Sequence, residues 1–76
     1  MCLLVMQEQS TKIEEGNLKN AYNSNPDGVG YSYINNKSKI ITKKYRNFEK
    51  FLSAYQGDIS KFGNSSPFLL HFRLAT

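Results

Sequence analysis

Apolar positions along this chain change their spacing repeatedly, and each change marks a new element. Cys2-Leu3-Leu4-Val5-Met6 is a short unbroken apolar run whose length favours a buried strand over a helix. Thr11 stands three residues before Glu14, the spacing of a capping box, and Leu18, Ala21 and Tyr22 follow at i, i+3 and i+4, so the pattern predicts a helix over residues 12–23. Asn25-Pro26-Asp27-Gly28 stops it, because the residue before proline is pushed out of the α region and Pro, Asp and Gly suit successive turn positions. Residues 29–34 alternate apolar with small residues and 38–44 carry Ile40, Ile41 and Thr42. With Asn35-Asn36 between them tolerating positive φ, this predicts a β-hairpin.

Asn47 can cap a second helix in which Phe48, Phe51, Leu52 and Tyr55 form one apolar face, with Gly57 as its stop. The last apolar run, Pro67 to Thr76, puts Phe68, Leu70, Phe72 and Leu74 on one face and Leu69, His71, Arg73 and Ala75 on the other. The order β-α-β-β-α-β predicts an α+β fold with helices on one side of a sheet and the final strand beside the first. Neither repeat nor linker interrupts residues 1–76, which are expected to form a single small domain.

Composition narrows the chemistry. One cysteine excludes an internal disulfide and a Cys-rich zinc site, and with no apolar run of about 18 residues the expected compartment is the cytosol. The formal net charge is +4, and Lys37, Lys39, Lys43, Lys44, Arg46 and Lys50 fall close together. They form either a solvated hairpin that keeps a sheet edge from pairing with strangers or a surface for an acidic partner. Tyr31, Tyr33 and Tyr45 among these cations fit single-stranded nucleic acid in outline, but no nucleic-acid motif accompanies them.

Three residues stand out individually. Removal of Met1 would give Cys2 a free α-amine with a pKa of about 8 beside a thiol of about 8.5, nucleophile and base on one residue; otherwise Cys2 is a small buried hydrophobe. Arg73 in an apolar strand needs a carboxylate, either Asp27 within the chain or one on a ligand. His71, with no second His or Asp near it in sequence, reads as a core residue. Asp27-Gly28-Val29-Gly30-Tyr31 lacks the strand-to-helix order of a phosphate-binding loop and reads as a turn with close backbone packing at Gly28 and Gly30.

Taken together, Met1-Cys2, the segment Asn25 to Tyr31 and the segment His71 to Thr76 resemble, in order and spacing, a class II glutamine amidotransferase domain, one of the N-terminal nucleophile hydrolases. The resemblance implies the first part of an αββα sandwich, with glutamine as substrate and no cofactor or metal. It makes Cys2 the nucleophile, Arg73 the clamp for the glutamine α-carboxylate, and the backbone around Thr76 a wall of the pocket. The family's oxyanion hole comes from an Asn-Gly pair, and no such dipeptide occurs here. The chain is therefore expected to be a truncated, catalytically incomplete domain. The other expectation is a non-enzymatic protein-binding module, a small phage-type or regulatory protein. It would use the free edge of its C-terminal strand, or self-associate through it, together with the basic hairpin Lys37, Lys39, Lys43, Lys44 and Arg46.

Overall fold

A computed structural model describes residues 2–74, with backbone only at residue 2. The elements run β1 (Cys2–Gln7), α1 (Glu15–Ser24), β2 (Gly28–Ile34), β3 (Ile40–Tyr45), α2 (Phe48–Phe62) and β4 (Phe68–Arg73). This is a mixed α+β arrangement: one four-stranded sheet in the order β1-β4-β2-β3, with every neighbouring pair antiparallel.

Period-two alternation divides the sheet into two unlike faces. Val29, Tyr31 and Tyr33 of β2 and Phe68, Leu70 and Phe72 of β4 point to one side and are buried. There they meet Leu18 of α1 and Phe48, Phe51, Leu52 and Tyr55 of α2 in one cluster. The Tyr31 ring is its hub, with centroids of Tyr33, Tyr45, Phe51, Tyr55 and Phe68 all within 6.5 Å. Edge-to-face and offset pairs of this kind add to simple area burial, which suits a chain with a small core.

The other face has no helix on it. Leu4 and Met6 of β1 are 65% and 63% exposed there, Ile40 of β3 is 74% exposed, and Ile34 and Leu69 are also exposed.

β4 lies beside β1 as the pattern predicts, but it also pairs with β2, so it is an interior strand. The expected free edge of the C-terminal strand is therefore corrected: the two edges belong to β1 and β3. The reason is in β4 itself: Phe68, Leu70 and Phe72 are buried in the core, and its backbone groups pair with β1 on one side and β2 on the other.

Local end signals form in some places and give way in others. Asn47 caps α2 through its side chain, which accepts from Lys50 N at 3.0 Å. The capping box at Thr11 does not form: α1 begins at Glu15, Glu14 makes no side-chain cap, and the Thr11 hydroxyl donates instead to the Glu8 carbonyl in the turn after β1. Gly57 does not stop α2, because Asp58 and Phe62 beyond it both find partners on the sheet; Gly63 ends the helix. In the hairpin loop the positive φ falls on Ser38 (59°), while Asn35 Oδ1 accepts from the backbone N–H of Lys37 and Lys39.

Candidate functional site

The register of β1 against β4 places Cys2 directly opposite Arg73, and the register of β2 against β4 places Gly28 opposite Arg73 on its other side. Two positions further along β4, His71 stands between Leu4 and Gly30, and Gly30 in turn pairs with Lys44. The first and last strands and the glycine-bearing strand thus meet on the helix-free face. Asp27 closes this end of the sheet, its N–H donating to the Arg73 carbonyl at 2.9 Å. Thr76 and Met1 lie outside the described residues, as does the side chain of Cys2.

A cavity of ≈ 320 Å³ opens here, lined by Asp27, Gly28, Lys44, Arg46, His71 and Arg73 among others. The ion pairs among the described residues are Lys19–Glu49 and Lys43–Asp58, and Arg73 belongs to neither. His71 has its pKa lowered, by burial first and by the nearby Lys44 second. Its ring leans over Gly30: a Cβ at that glycine would lie 2.6 Å from His71 Nε2 and 2.5 Å from the Lys43 carbonyl oxygen. Gly30 is thus required by close approach from two sides.

The basic stretch does not act as one surface. Lys43 turns to the helix side, where its Nζ donates to Asp58 Oδ2 at 2.7 Å, and it leaves the expected partner surface. Lys44 faces the opposite side of the sheet, Arg46 lines the cavity, and Lys37 and Lys39 sit in the hairpin loop. Alternation along β3 accounts for this division, since neighbouring residues of a strand point to opposite faces.

Asp58 carries a role that no motif announces. The Tyr31 hydroxyl donates to the same Asp58 oxygen at 2.6 Å, so one carboxylate oxygen joins a core tyrosine to a lysine. Burial works to raise the Asp58 pKa, but the hydrogen bonds from Lys43 and Tyr31 outweigh it and hold the carboxyl below its ordinary value. Tyr31 is pushed well above the usual tyrosine range by burial and then by Asp58. The available signal was position: Asp58 follows Tyr55 by three residues and so falls on the apolar face of α2.

A second cavity, of ≈ 440 Å³, lies between α1, α2 and the end of β1. Its buried polar groups are already paired, Tyr55 donating to Gln7 Oε1 and Gln7 Nε2 to the Thr11 carbonyl, which makes it a packing feature. Among the described residues no cluster of three His, Cys, Asp or Glu side chains is placed to hold a metal ion, and no helix is long and apolar enough to cross a membrane. Comparison with protein-family models, with curated proteins and with solved structures gives no match for this chain.

Proposed function

We propose that the chain is a glutamine amidotransferase-like N-terminal nucleophile unit whose site is assembled by pairing β1 with β4. The observation that carries this reading is the register position of Cys2 opposite Arg73. Directly opposed residues of an antiparallel pair have Cβ atoms about 4.5–5.5 Å apart, close enough for one small amino acid to reach both. Arg73, in neither ion pair of the described residues, holds the α-carboxylate of glutamine; a planar guanidinium takes a carboxylate bidentately.

With Met1 removed, the Cys2 α-amine accepts the thiol proton and the thiolate attacks the side-chain carboxamide carbon. The C–N bond breaks, ammonia leaves with that proton, and the glutamyl thioester is hydrolysed by water to glutamate and free thiol. An oxyanion-hole donor contributes about 100- to 1000-fold in rate, and the Asn-Gly pair that the family uses is absent from these residues. Turnover by this chain is accordingly slow, and acylation is the step to observe.

The test is labelling with an electrophilic glutamine analogue, followed by intact mass. A chain lacking Met1 that gains one adduct at Cys2, blocked by glutamine and lost in Arg73→Gln, is the expected result. Retained Met1, or an adduct indifferent to Arg73→Gln, overturns it.

A second reading is favoured by the helix-free face, where Leu4, Met6 and Ile40 stand exposed. Exposed apolar side chains on an uncovered sheet face make it a protein-docking surface, and it replaces the strand edge as the place where a partner would bind. Triple substitution of Leu4, Met6 and Ile40 by Ser tests it: a partner or second copy retained by that variant removes the reading.

A further inference from the structure

Gly28 and Gly30 occupy alternate positions of β2 on the helix-free face, where strand alternation would otherwise place side chains. The space over Gly30 is taken by the His71 ring, whereas at Gly28 the missing side chain leaves a trough. Lys44 and Arg46 stand on the β3 side of it, and His71 and Arg73 on the β4 side. The lining carries three permanent cations, Lys44, Arg46 and Arg73, against the one carboxylate of Asp27. A single amino-acid carboxylate is neutralised by one guanidinium, so Lys44 and Arg46 are in excess of what glutamine needs.

We infer that the trough binds a phosphate monoester on a small molecule. A dianion with three acceptor oxygens matches several converging donors, as charge-assisted hydrogen bonds from Arg and Lys require. Gly28 in the floor lets the anion approach the backbone closely, and the ≈ 320 Å³ volume suits a ligand at the small end of the range of binding pockets. The His71 ring, reaching across Gly30, forms one wall and can donate a hydrogen bond. This goes beyond the amidase reading and does not require Cys2 to react.

The experiment is a titration of the ¹⁵N-labelled chain with inorganic phosphate and with glycerol 3-phosphate, holding ionic strength constant with sodium chloride. Saturable amide shifts are expected at Gly28, Gly30, Lys44, His71 and Arg73, and Lys44→Gln/Arg46→Gln is expected to weaken binding about tenfold or more. Lys37→Gln/Lys39→Gln, in the hairpin loop, leaves it unchanged. Vesicles containing phosphatidic acid present the same group on a lipid surface, and tighter binding there than to glycerol 3-phosphate assigns the source to lipid. Shifts that never saturate, that follow ionic strength alone, or that survive the Lys44/Arg46 double substitution overturn the proposal. The titration involves no catalysis, so its outcome does not depend on whether Cys2 can be labelled.

Discussion

Removing the Asp58 carboxylate is the sharpest test of how this small core is held. Asp58 Oδ2 accepts from Tyr31 at 2.6 Å and from Lys43 at 2.7 Å, and its side chain is 12% exposed against 39% for Lys43. In Asp58→Ala the fully buried Tyr31 hydroxyl has no acceptor, a loss of about 1–3 kcal/mol. Lys43 can turn to water, so its share is under about 1 kcal/mol. The sum is about 1–4 kcal/mol, out of a total of about 4–11 kcal/mol for a domain of this length.

Tyr31→Phe keeps the ring contacts and leaves Asp58 paired with Lys43, so it should cost less, about 1–2 kcal/mol. The double variant Asp58→Ala/Tyr31→Phe has no stranded hydroxyl, and should be more stable than Asp58→Ala alone. Urea unfolding followed by far-UV circular dichroism reads all three. With a slope near 1 kcal/mol/M, Asp58→Ala moves the midpoint down by about 1–4 M. Additive losses in the double variant, or an Asp58→Ala midpoint within about 0.5 M of the parent, would refute the reasoning.

Glycine positions give a contrasting pair: Gly30→Ala should destabilise by about 1–3 kcal/mol, because its Cβ meets a carbonyl oxygen and the His71 ring. Gly57→Ala, inside α2 with nothing within 4 Å of the added carbon, should stabilise by about 0.5–1 kcal/mol in the same urea assay. Asn47→Ala removes the α2 cap and should lower stability by about 1 kcal/mol. Stability against pH should be flat from about 7 to 10. Below that range His71, whose folded pKa is depressed, loses its contribution as pH falls from about 6.5, and Asp58 loses its own as pH falls below about 3.9 through its lower folded value. Above it Lys43, Tyr31 and Tyr55, all raised and Tyr55 pushed up to about 12, lose theirs as pH climbs from about 10. A urea midpoint unchanged between pH 7 and pH 3 would contradict this.

Elements with strong periodicity were legible in the residues: the apolar face of α2 and the alternating β2 follow from spacing, while the pairing of β4 with β1 was expected from the apolar character of both strands. Signals that depend on competing partners were not. Thr11 donates its hydroxyl to the Glu8 carbonyl instead of accepting from a helix N–H, and Gly57 was overruled by contacts that Asp58 and Phe62 make beyond it. The basic stretch looks continuous when charge is counted along the chain, whereas a strand deals its neighbours to opposite faces. Cys2 and Arg73 stand out separately in the sequence, and their cross-strand register is what makes them one candidate site.

The strand order also constrains when this molecule can fold. Among the described residues β1 pairs with no strand but β4, and β4 joins it to the β2–β3 hairpin. During synthesis, therefore, the N-terminal strand must wait unpaired until Phe68–Arg73 has emerged. A ribosome stalled before Phe68 would carry a hairpin, two helices and an orphaned apolar segment. Completion of the sheet thus waits on β4, and until β4 pairs the apolar β1 segment is exposed to aggregation and to proteases.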